Sequence, residues 1–181
     1  MELTLSERDI TNTIFSSNGS AKYRTAKKAK AFGTAASTRI YKGTEQVGIV
    51  RLASWNKPDT VDVRGRTLNL YGTSFWSSSE AFTASDGRSY KWKLPGGTSF
   101  TLYSVENGHA KDRIAHYDHG SYGIFSRGRP PKLFIGSQGL HIADEIITTL
   151  VYMMRKLQQR RNSAAASSGA AGAAAAGASS C

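Results

Sequence analysis

The segment 142–161, IADEIITTLVYMMRKLQQRR, is the one long stretch of this chain with helical periodicity. Ile142, Ala143, Ile146, Ile147, Leu150, Val151, Met153, Met154 and Leu157 step by three and four. Thr148, Thr149 and Tyr152 fill the gaps, so almost no side of the middle is clearly polar. A helix lying on a sheet needs one apolar stripe. One that is apolar nearly all round needs protein all round, and the economical covering is a curved β-sheet wrapped about it. Asp144 and Glu145 open the segment, while Arg155, Lys156, Arg160 and Arg161 close it, each sign matching the helix dipole. The spacing predicts a helix over about 141–161.

Ahead of it, apolar residues come in runs of strand length separated by Gly, Asn, Asp and Pro. The predicted strands are Glu2–Leu5, Thr13–Ser16, Ala21–Thr25, Ser37–Tyr41, Val47–Ala53, Thr60–Val63, Thr67–Tyr71, Glu80–Ala84, Arg88–Leu94, Ser99–Val105, Arg113–Tyr117, Tyr122–Phe125 and Lys132–Ile135. The sharpest local signal is Ser85-Asp86-Gly87 between two of them, since Asp-Gly accepts the positive φ of a tight hairpin. After it Tyr90, Trp92 and Leu94 alternate with Ser89, Lys91 and Lys93, giving one face to a core and the other to solvent. So many short strands with one enclosed helix predict a mainly β fold, a closed antiparallel β-barrel around the helix. The expected organisation is one domain over 1–161 and a disordered Ala/Ser/Gly-rich tail over 162–181.

The chain has 181 residues, a formal net charge of +11 and a pI near 10.0, which favours polyanionic partners. Its single cysteine, Cys181, excludes an internal disulfide framework. The start Met-Glu-Leu-Thr-Leu-Ser lacks the basic and apolar regions of a secretory signal, and Glu2 breaks the myristoylation motif. The uninterrupted apolar and Thr run Ile146–Met154 falls far short of the roughly 20 residues that cross a bilayer. The expectation is a cytoplasmic monomer without a transmembrane segment, peripheral at a membrane or nuclear.

The charge is concentrated. Lys22, Arg24, Lys27, Lys28, Lys30, Arg39 and Lys42 lie within Ile10 to Thr44, a stretch with no Asp or Glu, and are the candidate anionic-ligand residues. The alternative is a solvated loop whose charge serves solubility. Arg127, Arg129 and Lys132, around Pro130-Pro131, form a second basic set. Tyr90, Lys91, Trp92 and Lys93 interleave aromatic and basic residues as nucleic-acid-binding strands do, but alternation puts the aromatics opposite the lysines, as core residues. His116-Tyr117-Asp118-His119 is the one histidine cluster. In a strand His116 and Asp118 share a face and His119 points away, so the spacing does not build a metal site. No Gly-x-Ser-x-Gly elbow, phosphate-cradling glycine loop or Cys beside a His is present, which points away from enzymatic activity and from a cofactor.

Several short motifs carry a resemblance. Asn12-Thr13, Tyr23-Arg24-Thr25, Thr38-Arg39-Ile40, the block 86–93 (DGRSYKWK), Leu133 and the block 143–152 (ADEIITTLVY) together resemble a fungal domain of unknown function over about residues 1–161. That domain is similar to the tubby C-terminal and LURP-one-like domains. The resemblance implies a closed barrel around a hydrophobic C-terminal helix and phosphoinositide binding at a membrane surface. The functional expectation is therefore a non-enzymatic intracellular domain that binds anionic phospholipid or a protein partner through basic surface loops. The alternatives are a nucleic-acid-associated basic domain, a structural interaction module with no lipid role, and a scramblase-like lipid protein.

Overall fold

The computed structural model describes residues 1–28, 37–52, 58–72, 79–94, 99–121 and 128–175. The expected strand Tyr122–Phe125, with Lys30, Arg127 and Cys181, lies outside the described residues. The strands are β1 (Glu2–Leu5), β2 (Ile14–Ser17), β3 (Ser20–Lys28), β4 (Ser37–Lys42), β5 (Glu45–Arg51), β6 (Thr60–Val63), β7 (Arg66–Leu68), β8 (Tyr71–Gly72), β9 (Glu80–Thr83), β10 (Ser89–Lys93), β11 (Phe100–Glu106), β12 (His109–Asp118) and β13 (Lys132–Ile135). A 3-10 turn at Ser137–Ile142 leads into the helix α1 (Ala143–Ala175).

All the strands belong to one antiparallel sheet in the order β7-β6-β5-β4-β3-β2-β1-β13-β12-β11-β10-β9-β8. Each ladder joins strands consecutive in the chain, with one exception, the pairing of β1 with β13. Short turns explain this economy. Asn18-Gly19 and Asn107-Gly108 hold positive φ at both positions, the conformation that lets a two-residue loop follow the right-handed twist of its strands.

The expected closed barrel is not what forms: the sheet is open, with β7 and β8 as its two ends. Only Asn69 and Leu70 separate these ends in the chain, neither residue adopts the positive φ of a type I′ hairpin, and no ladder joins β7 to β8. The expected strand Thr67–Tyr71 is split at this point into β7 and the two-residue β8, too short to sustain a ladder. Side chains bridge the ends instead. Arg66 Nη2 donates to Glu145 Oε1 at 2.5 Å, and its Nη1 lies 3.5 Å from the carbonyl oxygens of Thr83 and Ala84. Glu145 also accepts from the Ser85 amide at 2.7 Å and the Ser85 hydroxyl at 3.0 Å. An exposed sheet edge is thus blunted by charge.

Residues Ile146–Met153 are buried without interruption. Ile147 and Leu150 are fully covered, each contributing about 1.5–3 kcal/mol by leaving water. The two threonines inside this run are satisfied: the Thr148 and Thr149 hydroxyls donate to the carbonyls of Asp144 and Glu145, both at 2.7 Å, and Trp92 Nε1 donates to Thr149 Oγ1 at 2.9 Å. Gly48 of β5 faces Thr148 so closely that any Cβ there would collide with it. Tyr90 and Trp92 lie in the core as alternation requires, with Lys91 and Lys93 on the other face.

The helix also outruns its expected end. Residues 162–175 continue α1 rather than forming the disordered stretch expected there. Alanine has the highest helix propensity, and extending a helix already nucleated avoids the costly first turn. Gln158–Ala165 are exposed. Among the described residues no helix is long and apolar enough to cross a membrane.

Candidate anion-binding face

Strand alternation sorts the acid-free basic segment. Tyr23 and Thr25 of β3 are buried, so Lys22, Arg24, Ala26 and Lys28 point outward. In the register with β4, Arg24 faces Tyr41, Ala26 faces Arg39 and Lys28 faces Ser37, which brings Arg39 onto the same outward surface. From Lys22 to Lys28 this strip runs roughly 20 Å along the strand. Lys22, Arg24, Lys28 and Arg39 make no ion pair among the described residues. Arg24 instead lays its guanidinium over the Tyr41 ring, 4.0 Å from the centroid.

The other candidates separate from this strip. Lys27 is exposed but lies on the opposite pleat, in register with buried Thr38. Lys42 pairs in register with Tyr23, stands 5.6 Å from its ring and reaches Asp144 at 3.5 Å. The strip ends at β5 and β6, where Arg51 is neutralised by Asp62 at 2.5 Å. Burial alone would raise the Asp62 pKa, but hydrogen bonds from Thr67 and Arg51 hold it below the usual carboxylate range. In the second basic set Arg129 is exposed, whereas Lys132 is paired with Glu2 at 2.7 Å and separated from β3 by β1 and β2.

The remaining polar constellations hold the fold together. Asp144 accepts from the Tyr23 hydroxyl and from Arg64 Nε, both at 2.6 Å, at the N-terminus of α1. Asp86 accepts from the Tyr90 hydroxyl at 2.7 Å and contacts His141 Nε2 at 2.9 Å. In the middle of α1 the Lys156 ammonium meets Glu80 at 2.5 Å and the Tyr152 hydroxyl at 2.8 Å. In 116–119, Tyr117 is buried, His116 contacts the Thr101 hydroxyl and His119 the Tyr117 hydroxyl, so the two imidazoles have different partners. No group of three or more His, Cys, Asp or Glu positioned for a metal occurs among the described residues.

Two neighbours of the strip are missed by composition. Tyr41 carries the Arg24 stack, and Ile14 of β2, 43% exposed, pairs in register with Arg24. Only cross-strand register reveals them, because neither is charged and neither breaks its strand's pattern.

An antiparallel sheet of consecutive hairpins, packed on an apolar C-terminal helix and carrying a cationic strip with no ion pair among the described residues, defines a basic, single-sheet β domain. This chain belongs to the family of unknown function DUF6593, whose model matches residues 8–159. No curated protein matches it. No solved structure matches it either.

Proposed function

We propose that this protein is a non-enzymatic docking module that binds an anionic phospholipid surface through the outward face of β3 and β4. The observation that carries the reading is the set Lys22, Arg24, Lys28 and Arg39 on one face, with no carboxylate paired to them among the described residues. Each cation near an anionic leaflet contributes about 1 kcal/mol, so the four together give about 4 kcal/mol, an affinity near the millimolar scale. Such docking is reversible and strongly weakened by salt. The resemblance to tubby-like domains favours a phosphoinositide as the most highly charged form of the ligand, and kinship with those domains and a fungal origin are parts of the same proposal.

The test is vesicle co-sedimentation of the full chain with phosphatidylcholine alone and with phosphatidylcholine containing phosphatidylserine or a phosphoinositide. It is run at low and physiological salt beside a single-stranded RNA. The triple variant Lys22→Glu, Lys28→Glu, Arg39→Glu should lose binding to anionic vesicles. The variant Lys91→Glu, Lys93→Glu, Arg113→Glu, with an equal change of charge on β10 and β12, should keep most of it. Equal loss in both variants, or a wild type that ignores anionic vesicles at low salt, overturns the reading. RNA binding with no vesicle binding transfers the strip to nucleic acid.

A further inference from the structure

Among the described residues Ile14 is one of the few large apolar side chains on the surface, and its position sets it apart. A single exposed aliphatic residue is ordinary. This one stands in the row Ile14–Arg24–Tyr41, formed by the β2–β3 and β3–β4 registers, inside the cationic strip. Both of its backbone groups are held by Ser6, with its carbonyl accepting from the Ser6 amide at 2.9 Å and its amide donating to Ser6 Oγ at 3.0 Å. The side chain is therefore presented from a rigid strand rather than from a loop. Beside it the Arg24 guanidinium stands over Tyr41, 4.0 Å from the ring centroid, and is paired with no carboxylate among the described residues, so its charge remains available to a ligand.

Apolar, cationic and aromatic groups in one cross-strand row match the layering of a bilayer interface. Phosphates lie outermost, aromatic rings favour the headgroup level, and aliphatic side chains gain by reaching the acyl boundary. A nucleic-acid backbone offers the cations the same phosphates but offers Ile14 nothing. Resting on the lipid reading above, we propose that Ile14 is the membrane-inserting residue of this face: Lys22, Arg24, Lys28 and Arg39 engage lipid phosphates while Ile14, one strand from Arg24 and two from Tyr41, enters the interface. Part of the binding then derives from apolar burial and survives salt that screens the charges.

Two measurements on the full chain test this. Ile14→Ser should weaken binding to phosphatidylcholine/phosphatidylserine vesicles at physiological salt by about tenfold, Ile14→Leu should retain it, and melting temperatures should be unchanged at this exposed position. In a second experiment Cys181→Ser is combined with Ile14→Cys, and the new thiol carries an environment-sensitive fluorophore whose emission should shift to the blue on the same vesicles and stay unshifted with RNA. If wild type binds the vesicles, Ile14→Ser binds equally and the emission does not move, the insertion is overturned and the electrostatic docking stands. If wild type does not bind the vesicles at all, the lipid reading falls and the insertion falls with it.

Discussion

Asp144 combines two kinds of stabilisation that differ in sequence range. As an acid in the first turn of α1 it complements the helix dipole, and that role is legible in the sequence. It also receives the Tyr23 hydroxyl, Arg64 Nε and the Lys42 ammonium. Burial by itself would raise its pKa, but these partners together hold it below the ordinary value of 3.8. A carboxylate depressed in the folded state adds stability that is complete above 3.8 and is lost as pH falls through the folded value. Asp144→Asn should therefore cost about 2 kcal/mol at pH 7 in urea unfolding, with the gap to wild type closing below about pH 4. A gap that stays constant down to pH 3 would show that the charge is not what matters. The tertiary partners left no trace in the sequence, since Tyr23 and Arg64 are far from Asp144 along the chain and periodicity reports only near neighbours. The same limit hid the role of Glu145, whose partners are Arg66 of the end strand β7 and Ser85 of the turn after β9.

At the scale of elements, hydrophobic period was a good guide wherever one face is buried. It marked the core helix, the Tyr90–Trp92 face and most strands, because alternation and the three-four step are direct consequences of burial. It failed where burial makes no demand. Residues 162–175 have no apolar pattern, and the sequence predicts a disordered tail there, whereas their alanines favour continuing the helix. A helical extension whose residues are exposed from Gln158 to Ala165 contributes little to global stability. Removing residues 163–181 should lower far-UV helical signal yet leave the melting temperature within about 2 °C. A fall of many degrees would mean that this end packs on the domain. For the candidate anion-binding face, the basic residues were legible as a cluster. Their division between two pleats, with Lys27 and Lys42 apart from Lys22, Arg24, Lys28 and Arg39, depended on register.

Viewed whole, the molecule is two meanders, β1 to β7 and β8 to β13, each made of neighbouring hairpins and zipped together where β1 meets β13. Closure was the one architectural expectation that failed. It turns on whether β7 pairs with β8 across Asn69 and Leu70, a local matter that the overall pattern leaves open. Local pairings of this kind form with little loop-closure entropy, which leaves the β1–β13 ladder as the long-range step. The seam between β7 and β8 has a practical consequence. A cut between Asn69 and Leu70 severs no ladder, so the pieces 1–69 and 70–181 each retain a full set of consecutive hairpins. They share β1–β13 and the core around Ile147 and Leu150 as their means of reunion. Produced together as separate chains, with a tag on one, they should co-purify as a one-to-one complex with the circular dichroism of the intact protein; pieces that remain apart would show that the covalent link across the seam is itself required. The protein would then serve as a split reporter, reconstituted only when its halves meet.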